Sequence, residues 1–309
     1  MEKLAYITGA FGFIGSHVAA RLARCGWKVA GIGLGAPESA DTFRGGVFSG
    51  PVTLATLMEF QKKTGSPDLL VHCAGSGSVA ASLADPLADF YANVATLAET
   101  LDFCRLHAPA CRIVVPSSAA VYGEAASPIR EDAPLRPISP YGVHKRIAEE
   151  LCRSYAANYG LHIAITRLFS VYGPGLRKQL LWDACRKAAS GAFSFQGTGR
   201  ESRDWLHVAD AARLLHLLAD EAGPHCPVFN GGSGEGASVA EITAFIGSAW
   251  EPGLTPEFTG ATRAGDPTVY LASCEKVRQT GFAPRIALEE GLLEYVRWFR
   301  QQDHKEQRR

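Results

Sequence analysis

The sequence predicts an α/β protein, a doubly wound parallel sheet followed by a smaller C-terminal lobe. Short β-rich runs alternate with longer helical patterns through residues 4–168, the order in which parallel strands and their crossover helices occur. After Tyr172-Gly173-Pro174-Gly175 the alternation becomes irregular and loops richer in Gly and Pro take over, which marks a differently built unit. At roughly 150 residues per domain, 309 residues accommodate two such units.

The first strand is read at 4–7, an unbroken run of Leu, Ala, Tyr and Ile. A helix follows over 14–25 and stops near Gly26. Next come a strand at 28–32, a helix at 53–63, a strand at 69–72 and a long helix at 87–107. A strand at 112–115, a helix at 141–159 ended by Gly160, and a strand at 162–168 complete the alternation. In the second unit helices are read at 208–219, 238–249 and 288–301, with a charged tail expected to fray.

Composition excludes several classes. Hydrophobic residues make up 47% of the chain, enough for a large core, and no apolar run approaches the roughly 18 residues of a membrane span. The formal net charge is zero, so no global field draws the chain to nucleic acid or an anionic membrane. The N-terminus is too short and too acidic for a signal peptide, and the eight cysteines form no Cys-x-x-Cys pair. A cytoplasmic protein with reduced thiols is expected.

Gly9, Gly12 and Gly15 lie between the first predicted strand and the first predicted helix. That placement suits a phosphate: one glycine makes the turn, one lets backbone amides approach a pyrophosphate, and one lets helix and strand pack closely. With the helix N-terminus behind them, Gly9, Phe11, Gly12, Phe13, Ile14 and Gly15 form the expected seat for a nicotinamide dinucleotide in a Rossmann sheet. The second strand ends on Gly33, where a carboxylate would bond the adenosine ribose. Nothing there repels the extra phosphate of NADP, and Arg44 is the nearest arginine. The cofactor is expected to be NAD or NADP, with NAD preferred.

Tyr141 and Lys145 stand four residues apart on one predicted helix face. A neighbouring cation favours phenolate over phenol, so Tyr141 is expected to carry a lowered pKa and to accept a proton from a hydroxyl. Ser118 follows the 112–115 strand, at the edge where doubly wound sheets bind ligands.

Taken with their neighbours, these residues make the chain resemble an extended short-chain dehydrogenase/reductase of the nucleotide-sugar epimerase/dehydratase family. The resemblance runs through Gly9 to Gly15, His72-Cys73-Ala74-Gly75, Asn93-Val94, Ser117-Ser118-Ala119-Ala120-Val121-Tyr122-Gly123 and Ser139-Pro140-Tyr141 to Lys145. It continues through Arg167 to Gly175, Arg203-Asp204-Trp205-Leu206-His207-Val208-Ala209-Asp210 and Arg263-Ala264-Gly265-Asp266. It implies Ser118, Tyr141 and Lys145 as the catalytic set, with Lys145 also holding the nicotinamide ribose. It further implies Ala74, Gly75 and Asn93 along the cofactor. Arg203 and Arg263 would clamp the diphosphate of a nucleotide-diphosphate sugar, Asp266 its ribose, and Ser118 and Ser170 would also face substrate. Residues 1–172 then form the dinucleotide-binding domain. Residues 173–309 form mainly the substrate lobe, with a segment near 205–232 returning to the main sheet. A homodimer through the 87–107 and 141–159 helices is implied.

Dehydratases of this family carry an Asp-Glu pair after the catalytic Ser or Thr. Here Ala119-Ala120 stand in that place, which disfavours elimination of water. A nucleotide-sugar 4-epimerase is the leading expectation, a nucleotide-4-keto-sugar reductase the alternative, and a noncatalytic nucleotide-binding regulator a remote third. Further departures are Ser170 in place of the usual Asn, Gly77 in place of a longer side chain, Pro51 near the adenine position, and Pro116, which removes a strand donor.

Overall fold

A computed structural model describes residues 2–37, 39–126, 128–261 and 269–306. The chain builds β1 (Leu4–Thr8), α1 (Phe13–Arg24), β2 (Lys28–Gly33), β3 (Gly46–Ser49), α2 (Leu54–Thr64) and β4 (Leu69–His72). Short helices α3 (Val79–Ala84) and α4 (Pro86–Phe90) run through a wide π-turn at Tyr91–Ala95 into α5 (Thr96–His107). Then come β5 (Arg112–Ser118), α6 (Pro140–Tyr159), β6 (His162–Leu168), β7 (Ser170–Tyr172), α7 (Gln179–Ser190), β8 (Ser194–Phe195), β9 (Ser202–His207) and α8 (Val208–Leu217). The rest is β10 (Val228–Gly231), β11 (Gly236–Ser238), α9 (Val239–Trp250), β12 (Glu257–Phe258), β13 (Val269–Tyr270), α10 (Glu275–Arg278) and α11 (Leu288–Glu306).

The main sheet has seven parallel strands in the order β10-β6-β5-β4-β1-β2-β3. The order reverses between β1 and β4, the switch point at which such sheets bind ligands. Both faces are covered, so the strands read as continuous apolar runs rather than alternating ones. Successive residues still divide between the faces. Ile7, Val71, Val114 and Ala164 pack with Val18 and Leu22 of α1 and Ala211 and Leu215 of α8. Their neighbours Tyr6, Leu70, Ile113 and Ile163 pack with Leu57 of α2, Leu101 of α5 and Cys152 of α6. A third core, with Leu181, Cys185, Ile246, Tyr295 and Phe299, fills the lobe.

Local chemistry sets the helix ends. Thr53 caps α2 with a reciprocal box to Thr56. Asp85 accepts from Ala88 N at 2.9 Å, and Pro86 occupies the first turn of α4. Ser139 caps α6, and Gly160 closes it in the left-handed conformation at φ +67°. The last helix reaches Glu306, beyond the expected end at 301. The strand expected at 112–115 runs on to Ser118, because β6 pairs with β5 as far as Leu168 opposite Ser118. The region read as one helix over 87–107 contains the π-turn that carries Asn93.

Candidate active site

The glycine turn caps the carboxyl end of β1. Gly9 adopts φ +62°, and a Cβ there would lie 2.6 Å from the backbone of Cys73 and Ala74. A Cβ on Gly15 would lie 2.2 Å from the Gly9 carbonyl oxygen. The turn therefore presses against the segment after β4 on one side and against its own helix on the other. Phe11 meets the buried Phe43 ring at 5.6 Å, and Phe13 lies beside Gly175 of the lobe. Ile14 packs against the core in the first turn of α1. Thr8 Oγ1 ties the ends of β1 and β4 together: it lies 3.0 Å from His72 Nδ1 and accepts from Ala74 N at 3.3 Å.

Gly33 faces this turn, since a Cβ there would come within 3.2 Å of Gly9 Cα. A side chain at 33 would thus be directed at the glycine seat. Arg44 lies elsewhere: it pairs with Glu2 at 2.8 Å, and the next residue bonds Val29, one residue into β2 from its amino end.

Ser118, Tyr141 and Lys145 converge at the carboxyl end of β5. Ser118 ends that strand and accepts from Ala120 N at 3.2 Å. Tyr141 lies in the first turn of α6, its hydroxyl placed to hydrogen-bond Ser118. One turn on, Lys145 Nζ lies 6.0 Å from the Tyr141 ring centre and donates to the Pro116 carbonyl at 3.2 Å. The expected lowering of the Tyr141 pKa is not met here. Burial pushes the phenol up, with the Ser118 hydrogen bond pulling the other way. The Asp89 charge adds to the rise. Lys145 is itself brought down to about 8 by burial, against the opposing pull of Asp89.

Pro116 becomes intelligible in this setting. Pairing of β4 with β5 ends at Val114, so the missing N–H falls past the end of that ladder. Its carbonyl is left to receive Lys145.

Gly75 follows β4 at φ +144°, and the side chain of Asn93 lies against it. Asn93 is buried in the π-turn and donates through Nδ2 to Asp89, while its Oδ1 meets no donor among the described residues. A buried acceptor facing a glycine-made space, beside a turn with no room for a Cβ, fits a polar ligand such as a dinucleotide. His72 Nε2 is likewise buried without a partner among the described residues, and burial holds that imidazole neutral with a pKa of about 3.

The lobe sheet meets the same end of β5. Phe169 carries the chain from β6 in the main sheet to β7 in the lobe sheet, which places Ser170 two residues beyond the partner of Ser118. Ser170 pairs with Trp205 of β9, and Arg203 lies two residues earlier on the same strand, its Nη1 donating to Ser202 O at 2.9 Å. Tyr270 of β13 is the register partner of Arg203, and its hydroxyl donates to the Ala119 carbonyl, next to Ser118. Lys178 and Gln179 reach across to the Gly77 carbonyl at 3.4 Å each. Arg263 and Asp266 lie outside the described residues.

A family model for the NAD dependent epimerase/dehydratase family matches residues 5–232. The chain belongs to this family. Among curated relatives, UDP-glucose 4-epimerase of Azospirillum brasilense is 31% identical over 311 residues, covering 93% of this chain and 89% of that protein. The solved UDP-glucose 4-epimerase of Thermotoga maritima with UDP-glucose superposes with a TM-score of 0.88 at 25% identity, covering 97% of this chain and 99% of that one. MoeE5 in complex with UDP-glucuronic acid and NAD gives 0.84 at 31% identity, with 96% and 99% covered.

Sequence reasoning passed over several residues of this epimerase/dehydratase site. Glu149, one turn past Lys145, joins α6 to Ser117 and Arg167, and its four-residue spacing from Lys145 is a usable signal. Asp89 and His144 are also at hand, but nothing in the spacing announces their contact across 55 residues.

Proposed function

We propose that the chain is an NAD-dependent nucleotide-sugar 4-epimerase acting on a UDP-hexose or UDP-hexuronate. The observation that carries this reading is the grouping of Ser118, Tyr141 and Lys145 beside the glycine turn, with Ala119 and Ala120 where an acid and a base would be required for dehydration. The UDP-sugar 4-epimerases among its relatives support the substrate class.

Gly9, Phe11, Gly12, Phe13, Ile14 and Gly15 would seat the pyrophosphate, with Ala74, Gly75, Asn93 and Lys145 along the nicotinamide half. Bound NAD would supply a hydride acceptor that later serves as donor. Tyr141 takes the proton from the sugar 4-hydroxyl and later returns it. Ser118, hydrogen-bonded to Tyr141, bonds the reacting oxygen and passes the proton on. Lys145, as a cation, stabilises the phenolate form of Tyr141 and bonds the ribose hydroxyls. Arg203, with Arg263, would grip the diphosphate, Asp266 the uridine ribose, and Ser170 the neighbouring substrate wall.

NAD is preferred over NADP because Arg44 is engaged with Glu2 and no other Lys or Arg lies between Gly33 and Thr53 to receive a 2′-phosphate. A homodimer is supported by Leu83, Leu87 and Tyr91, each more than half exposed, and by Val143 and Ile147 on α6. Cytoplasmic residence agrees with eight free thiols.

Incubation with UDP-glucose, UDP-N-acetylglucosamine and UDP-glucuronic acid tests the reaction. Inversion at C4 without added cofactor is expected. Stoichiometric consumption of NADPH with a 4-keto-sugar, and no inversion, would establish a reductase instead.

A further inference from the structure

Asp89 and His144 border the site without entering the chemistry above. Asp89 stands on α4, one turn before Asn93, and is 4% exposed. Its Oδ2 meets His144 Nδ1 at 2.7 Å, and its Oδ1 accepts from Asn93 Nδ2 at 3.1 Å. The Asp89 backbone carbonyl accepts from the same nitrogen at 3.2 Å. With His144 donating Nδ1–H, every Asp89 oxygen facing Asn93 is an acceptor. The amide nitrogen of Asn93 must then face Asp89, and its carbonyl oxygen must face the opposite way. That oxygen is buried, has no partner among the described residues, and is aimed at Gly75, where a Cβ would lie 2.7 Å from it.

We propose that His144 and Asp89 are positioning residues that lock the Asn93 amide with its carbonyl oxygen turned to the cofactor cleft at Gly75, ready to accept from a donor group of the bound dinucleotide. His144 adjoins Lys145 in sequence, so the lock joins the helix of Tyr141 and Lys145 to the π-turn. Without the His144 donor, Asp89 Oδ2 loses its partner and nothing fixes the rotation of the carboxylate. A carboxylate free to rotate no longer holds Asn93 Nδ2 at Oδ1, so the amide oxygen is no longer fixed toward the cleft. The inference rests on the reading that Asn93 lines the cofactor.

The test is NAD affinity, measured by calorimetry on the full chain freed of bound nucleotide. His144→Phe keeps a ring against Phe90 but removes the donor, and should weaken NAD binding about tenfold at a temperature where the variant is still fully folded. His144→Asn places an amide nitrogen where Nδ1 stood and should restore the affinity. His144→Leu serves as a second donor-free variant should the Phe form misfold. Equal weakening by His144→Phe and His144→Asn would reduce the role to packing and overturn the proposal. Weakening by Asn93→Ala without any by His144→Phe would overturn it too, while leaving the cofactor site intact. If Asn93→Ala binds NAD as the parent does, the cofactor reading at Asn93 itself fails, and this inference with it.

Discussion

Tyr141 is held between opposing influences. Burial raises its pKa, and the Ser118 hydrogen bond pulls it down. A phenol so placed needs a charge brought close before it serves as base, and in the proposed mechanism Lys145 has that part. Tyr141→Phe should lower turnover by about a hundredfold to ten-thousandfold while NAD still binds, read by steady-state kinetics beside calorimetry. Lys145 titrates at about 8 because burial disfavours its charge. It is cationic below that value, so its grip on the ribose should be present at neutral pH and lost as pH rises through about 8. The dissociation constant for NAD, followed from pH 7 upward, should increase there, and Lys145→Met should remove the pH dependence. For folding the sign is opposite. Between about 8 and its ordinary 10.5 the unfolded chain binds the extra proton, so the Lys145 contribution to stability improves as pH rises over that window.

At the scale of elements, a buried ion pair keeps α6 in register with the sheet. Glu149 receives Arg167 through Nε at 2.9 Å and Nη2 at 2.7 Å, while Ser117 donates to it at 2.7 Å. Arg167 also donates to the Tyr122 hydroxyl. Ser117 and Tyr122 flank Ser118, and Glu149 lies one turn past Lys145, so the pair aligns the strand end with the helix. Glu149→Leu leaves the Arg167 charge buried without its partner and should cost about 3–5 kcal/mol in a urea titration. The spacing of 141, 145 and 149 shows this helix face in the sequence, and the glycines, caps and apolar runs show where most main-sheet elements lie. The identity of the buried partner does not show, because Arg167 and Glu149 meet only once β6 and α6 have packed. β3 passes unseen for a similar reason: four residues between glycines carry no periodicity, and pairing with β2 alone makes them a strand. The π-turn is equally silent, since Tyr91-Ala92-Asn93 contains no Gly or Pro to mark a break.

For the molecule as a whole, two buried imidazoles set its response to acid. Burial brings His72 to about 3 and His207 to about 4. Both are neutral when folded at pH 7, and the unfolded chain protonates them near 6.5. The stability they contribute is present above 6.5 and is lost as pH falls toward about 4. Melting temperature should decline over that interval, and His207→Asn should shallow the slope. The exposed apolar residues on α3, α4 and α6 lead to a second whole-molecule expectation. Light scattering should give twice the chain mass of 33.0 kDa, and Leu87→Asp should return the protein to a monomer.

β10 completes one edge of the seven-stranded sheet, yet it lies 60 residues beyond the end of its partner β6 (Leu168 to Val228). On the ribosome, the glycine turn and six strands emerge while β6 still has a bare edge. The segment that covers it arrives only after β7, α7, β9 and α8 have been made. A nascent chain stalled in this interval would expose the open backbone of β6, where pairing with a neighbouring chain competes with completion of the sheet. The interleaving of main sheet and lobe thus creates an interval during synthesis in which a chaperone has most to shield.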